Sequence, residues 1–219
     1  MNLKTILGNL KLSNNNKAIF SNIYRKRSWR GTESHSGKGS DAVQTRVLCH
    51  QLSILLRDLQ VQSILDLPCG DFNWIHEVVS TNNLDYIGGD IVDELVDEDN
   101  RLYRSASVRF EKIDLVKDAL PSADILFCRD CLVHLSNDAV SSALTNIKNG
   151  SFKYVAMTSF VNRVRNSDIR TGKWRPLNMT VPPFSLPQPI AVINENCTEE
   201  NGRFSDKTVS VWRFADLFN

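Results

Sequence analysis

The stretch from Val61 to Phe72 constrains the fold of this chain more than any other. A short apolar run, Ile64-Leu65, meets an acid at Asp66. The chain then turns through Pro68-Cys69-Gly70, and an apolar-periodic segment begins near Phe72. That order reads as a buried strand, a tight turn and a helix start. In an open α/β sheet, ligands bind at the carboxyl ends of the strands, beside such a turn. Gly70 has no Cβ and so allows close backbone approach. Asp66, at the strand tip, is placed to meet a cationic group of a ligand.

The rest of the chain repeats this unit. A helix is predicted from a cap at Ser40 or Asp41 to about Arg57, with Val47, Leu48, Leu52, Leu55 and Leu56 as its apolar stripe. Another helix is predicted from about Phe72 to Val79. Strands are predicted at Leu84 to Gly89, Val108 to Leu115, Ala123 to Cys128 and Tyr154 to Phe160, with a helix at Asp138 to Ile147. Such alternation predicts a mainly parallel sheet covered by helices on both faces. The last two strands, Ile190 to Asn194 and Thr208 to Phe214, flank a polar, turn-like segment and are expected to pair antiparallel.

Two segments stand apart from the main domain at 41–219. Residues 1–40 combine a weakly patterned N-terminal arm with a helical face of Ile19, Phe20, Ile23 and Tyr24. A Gly- and Ser-rich loop follows, carrying Trp29, Arg30, Glu33 and His35, and is expected to act as a lid over a ligand. Residues 161–189 hold five of the seven prolines and several arginines. That is too long and too proline-rich for a plain connector, and a substrate loop is expected there.

Length and charge narrow the function. With 219 residues the chain suffices for one well-cored domain. A formal charge of +1 provides no global field to recruit nucleic acid or anionic membrane, and no apolar run approaches the roughly 20 residues of a membrane helix. The 5 cysteines make no even framework, so reduced thiols in a cytoplasm are expected. Cys128-x-x-Cys131 lacks a second pair or a His cluster at ligand spacing, and no metal site is expected.

Three acids, Asp66, Asp90 and Asp114, sit at or near strand ends at equal intervals of about one strand–helix unit. A carboxylate at the second strand tip accepts hydrogen bonds from both ribose hydroxyls, and one on the third strand accepts from an adenine amine. No G-x-G-x-x-G follows the first strand, and no G-x-x-x-x-G-K-[ST] occurs. The pattern therefore points to a nucleoside cofactor without a pyrophosphate.

These residues carry a family resemblance. Asp66-Leu67-Pro68-Cys69-Gly70-Asp71-Phe72 resembles the first motif of the class I S-adenosylmethionine-dependent methyltransferases, with Pro68 and Phe72 at two of its usual glycine positions. Tyr86-Ile87-Gly88-Gly89-Asp90 resembles the second motif and Lys112-Ile113-Asp114-Leu115 the adenine-side motif. Asp124 to Asp130, with Leu132-Val133-His134-Leu135, resembles the fourth strand and its exit. The resemblance implies a Rossmann-like α/β fold, with a seven-stranded, mostly parallel sheet whose last strand is antiparallel. It implies S-adenosyl-L-methionine held by Asp66, Pro68, Gly70, Asp71, Phe72, Asp90, Ile91, Asp114, Leu115 and Arg129.

Methyl transfer to an alcohol benefits from a base, and Asp130 and His134, just past the fourth strand, are the candidates. Arg163, Arg165, Trp174 and Arg175 border the expected acceptor pocket. Arginines suit a carboxylate or phosphate, and Trp174 suits a sugar or other ring, so a small-molecule or glycan acceptor, with an anionic one among the options, is expected. Two alternatives stand beside this reading. A nicotinamide-dependent oxidoreductase is disfavoured by the missing phosphate fingerprint. A non-catalytic binding module is suggested by Pro68 and Phe72, but Asp66, Gly70, Asp90 and Asp114 speak against it.

Overall fold

The computed structural model describes residues 16–29 and 31–218. The arm expected at the extreme N-terminus falls on residues 1–15, and these and Arg30 lie outside the described residues. Helix α1 covers residues 16–25. Then follow α2 (Ala42–Asp58), β1 (Ser63–Asp66), α3 (Ile75–Thr81), β2 (Asp85–Asp90), α4 (Asp93–Tyr103), β3 (Val108–Lys112), β4 (Ile125–Cys128), α5 (Asn137–Lys148), β5 (Tyr154–Phe160), β6 (Ala191–Asn194) and β7 (Lys207–Arg213). The seven strands form one sheet in the order β3-β2-β1-β4-β5-β7-β6. The first five are parallel, and β7 runs antiparallel to both β5 and β6.

Adjacent strand residues face opposite sides of a sheet, and both sides are covered. Ile64, Tyr86, Ile125, Phe127 and Val209 pack beneath α2 and α3. Leu65, Ile87, Leu126, Val155 and Trp212 pack beneath α5 and the 161–189 excursion. Ile64 and Leu65 are both fully buried, which is why β1 reads as a continuous apolar run rather than an alternating one.

Several local expectations are corrected. The helix predicted from Phe72 begins at Ile75, because Phe72 has φ 54 and cannot start a right-handed helix. Asp41 occupies the N-cap position of α2, yet its carboxylate turns back to accept from Thr32 Oγ1 at 2.7 Å, and Glu33 Oε2 receives the Ala42 amide instead, also at 2.7 Å. The buried stripe of α2 is Thr45, Leu48, Leu52 and Leu56, with Val47 and Leu55 only half-buried. Helix α4 had no counterpart in the reading of the sequence. Among the described residues no helix is long and apolar enough to cross a membrane.

Candidate active site

The turn after β1 is fixed by sheet-like bonds that continue past the strand: Leu67 N donates to Phe127 O and Cys69 N to Gly89 O, both at 2.8 Å. Gly70 then takes φ 57, a left-handed conformation open to glycine. A Cβ there would lie 2.1 Å from Ser36 Oγ, so any other residue would displace that hydroxyl as well as strain the turn.

The three acids converge on one cleft at the carboxyl edge of the sheet. Asp66, Asp90 and Asp114 are all buried and all line it. Asp66 Oδ2 accepts from Tyr86 Oη at 2.7 Å. Burial pushes its carboxyl up to about 7, against the pull of that hydrogen bond and of Arg129. Asp90 Oδ1 accepts from Val92 N at 2.9 Å, and burial pushes its carboxyl up to about 6, opposed by the backbone amides of Val92, Gly70 and Ile91. Asp114, just past the end of β3, accepts from Val116 N at 2.9 Å. Pro68, Asp71, Ile91, Leu115 and Arg129 also line the cleft.

The segment before α2 closes one side of this cleft. Asp71 accepts from Ser34 Oγ at 2.8 Å and from His35 N at 2.7 Å, which fastens the loop to the β1 turn. Lys17 pairs with Asp93 at 2.8 Å, and Arg25 pairs with Glu94, fastening α1 to the start of α4. As a result Asn16, Phe20, Tyr24, Trp29, His35 and Ser36 face the same cavity as the three acids.

A second cleft shares Trp29, Ser36, Asp130 and His134 with the first. Its other walls include Phe160, Trp174 and Phe204, with Glu199, Glu200 and Lys38. His134 Nδ1 lies 3.0 Å from Lys173 O. A carbonyl only accepts, so Nδ1 carries the proton and Nε2 of the neutral ring is an acceptor. Burial holds the imidazole below its usual value, offset in part by the Lys173 carbonyl and Asp130, so the ring is neutral near pH 7. The Trp29 ring stands 5.4 Å from it.

Asp130 belongs to a buried charge network. Its Oδ2 lies 2.6 Å from Lys207 Nζ and 3.4 Å from Arg129 Nη1. Burial would raise its carboxyl, but Lys207 and Arg129 together hold it down at about 2. Glu195 lies 2.7 Å from Arg129 Nη2 and 3.3 Å from Lys207 Nζ. Arg129 also donates to Gly39 O at 2.8 Å and stacks over Trp74 at 5.3 Å. Its guanidinium is thus engaged by the protein.

Four expected site residues lie elsewhere. Phe72 is buried against Tyr86 and Phe110, with ring centroids 4.7 and 5.3 Å away, so it packs the core below the turn. Arg163 pairs with Asp206 at 3.0 Å, and Arg165 is exposed; neither borders the two clefts. Arg175 is buried as a clamp, donating to Leu132 O at 2.7 Å and Ser167 O at 3.1 Å, and burial pulls its guanidinium down to about 10. Trp174 does border the second cleft. Sequence reasoning passed over Asn16, Ser36, Glu195 and Lys207. Among the described residues no group of three or more His, Cys, Asp or Glu is arranged to hold a metal ion.

No family model matches the chain, and no curated protein matches it in sequence. Solved structures do share its fold. Human N-acetylserotonin methyltransferase in complex with SAM aligns with a TM-score of 0.60 at 15% identity, over 89% of this chain and 58% of that one. Magnesium protoporphyrin IX methyltransferase from Synechocystis PCC 6803 with bound SAM gives 0.52 at 13% identity, over 71% and 79%. An O-methyltransferase family protein from Burkholderia thailandensis gives 0.53 at 12% identity, over 77% and 55%. This is the class I S-adenosylmethionine-dependent methyltransferase fold. The chain spans little more than half the length of the human and Burkholderia methyltransferases.

Proposed function

We propose that this protein transfers a methyl group from S-adenosyl-L-methionine to a hydroxyl oxygen of a small-molecule or glycan acceptor. The observation that carries the reading is His134, a neutral base standing where a cleft lined by three buried carboxylates meets a second, aromatic-walled cleft. The residues present fit the cofactor. Asp90 and Asp114 offer acceptor oxygens to ribose hydroxyls and an adenine amine, Ile91 and Leu115 offer apolar contact, and Asp66 faces the cavity as a partner for positive charge. Asn16 adds a buried amide donor with no partner in the protein.

When bound, S-adenosyl-L-methionine supplies an electrophilic methyl carbon, and the displacement leaves a neutral thioether. The chain's own work is to align the partners and take up a proton. Nε2 of His134 accepts the hydroxyl proton as the oxygen–carbon bond forms, and Nδ1 remains bonded to Lys173 O, so the ring cannot turn away. Asp130, kept ionised by Lys207, favours the imidazolium that results. The closed 31–41 segment limits water at the junction.

The second cleft is proposed as the acceptor site. Three carboxylates, Asp130, Glu199 and Glu200, line it beside Lys38 and Lys207, the latter paired with Asp130, and the arginines expected to bind an anion do not. Carboxylates are acceptor-only, so they suit an acceptor rich in hydroxyls, with a ring stacked on Trp174. The test is transfer of labelled methyl from S-adenosyl-L-methionine to a panel of saccharides, phenols and acidic sugars, with a parallel binding titration of NAD. Transfer to neutral hydroxyl compounds, lost in His134→Gln, supports the reading. Tight NAD binding without methyl transfer contradicts it.

A further inference from the structure

One polar atom at the cofactor cleft is left without a partner. Asn16, at the first described turn of α1, is 2% exposed, lines the cleft that Asp90 and Ile91 also line, and its Nδ2 makes no hydrogen bond within the protein. A buried amide donor without an acceptor costs free energy. A position that served only to pack α1 would hold an apolar side chain.

The helix is placed where that donor is useful. Lys17, the next residue, pairs with Asp93 directly beyond the Asp90-Ile91-Val92 turn. Phe20, one turn on, packs against the cluster containing Leu115, Val116 and Leu135. On its other side α1 rests on Gly172, where a Cβ would come within 2.6 Å of Ile19. Asn16 therefore lines the same cleft as Asp90 and Asp114, on the turn of α1 whose next residue is tied to Asp93, while Phe20 one turn on stands 6.4 Å from the Trp29 ring.

Resting on the cofactor reading above, we infer that Asn16 Nδ2 is a direct hydrogen-bond donor to the nucleoside portion of the cofactor, so that α1 forms part of the binding site. The acids at this end supply only acceptors. A nucleoside presents acceptors as well, in the adenine ring nitrogens and the ribose oxygens, and Asn16 complements them. The unpartnered donor is a cost carried by the free protein and relieved on binding.

The experiment measures two quantities on Asn16→Leu and Asn16→Ala: thermal stability without ligand, and affinity for S-adenosylhomocysteine and for adenosine. The inference predicts ligand-free melting temperatures equal to or above wild type, with affinity for both ligands reduced by the same factor, about tenfold. Lys17→Ala, which loosens α1 through an exposed ion pair, is the control and should change affinity less. Unchanged affinity in both Asn16 variants overturns the inference. So does a loss confined to S-adenosylhomocysteine, which would place the donor at the amino-acid end. Lowered ligand-free stability with an unchanged thermal shift on ligand addition also overturns it, since that marks a structural amide. If wild type binds neither ligand, the cofactor reading itself fails, and that outcome is separate from the others.

Discussion

Replacing Glu195 by Gln isolates the electrostatics beneath the site. The Glu195 side chain is 2% exposed and, like the more exposed Asp130, touches both Arg129 and Lys207, at 2.7 and 3.3 Å. With Asp130 the four charges sum to zero. The isosteric change leaves two buried cations with one anion, Asp130, which is itself 28% exposed. At an effective dielectric of 20, two unit charges about 4 Å apart interact by roughly 4 kcal/mol, part of which the Gln carbonyl recovers by accepting one bond. Breaking a buried pair from one side generally costs about 3–5 kcal/mol, and that range is expected here. Urea unfolding near neutral pH, fitted to a two-state transition, gives the value. Adding Lys207→Met restores charge balance, so the double variant should be more stable than the sum of the single changes implies, with a coupling of about 1–3 kcal/mol. A single-variant loss below about 1 kcal/mol, or simple additivity in the double variant, refutes the view of a dry, neutral network.

Other expectations concern the base, the loop and pH. His134→Gln should lower the rate of methyl transfer by about 10²–10⁴-fold while leaving cofactor affinity unchanged. In wild type the rate should rise with pH through a midpoint lower than that of a free imidazole, because burial depresses the ring; a fall in cofactor affinity with unchanged turnover would make the residue structural. Ser34→Ala removes a donor to Asp71 and should cost about 1 kcal/mol. The readout is faster proteolysis within residues 31–40 with little change in the global urea midpoint, and an unchanged cleavage rate counts against the loop being latched there. The carboxyls of Asp66, Asp90 and Asp99 are raised by burial to about 7, 6 and 8. The folded chain therefore holds more protons than the unfolded one between about pH 4 and 8, so these groups make stability fall as pH rises through that window. Asp66→Asn with Asp99→Asn should flatten that slope, and an unaltered slope would assign it to other groups.

The sheet was legible because each strand announces itself. Tyr154–Phe160 is an apolar run with the same bounds in sequence and structure, and β4 lies within its predicted range. Helix α4 escaped because its buried face is short, Leu95, Val96 and Asp99, on a surface dominated by Asp93, Glu94, Asp97 and Glu98. The three acids were visible since a strand tip is a position along the chain. Arginine density in 161–189 gave no direction: Arg175 turned inward and Arg163 found Asp206. The charge network was hidden for a related reason, as Arg129 meets Glu195 across 66 residues and Asp130 meets Lys207 across 77. Asn16 had no signal beyond its identity, because an unpartnered donor is defined by what surrounds it.

The most direct measurement is an equilibrium titration of S-adenosylhomocysteine against wild type and Asp90→Asn between about pH 5 and 8. Saturable one-to-one binding to wild type is predicted, weakening as pH falls below about 6 because the ribose hydroxyls need the ionised Asp90 carboxylate. In Asp90→Asn the affinity should drop at least about tenfold and lose that pH dependence. No binding by wild type, or binding that is indifferent both to pH and to the loss of this carboxylate, contradicts the account.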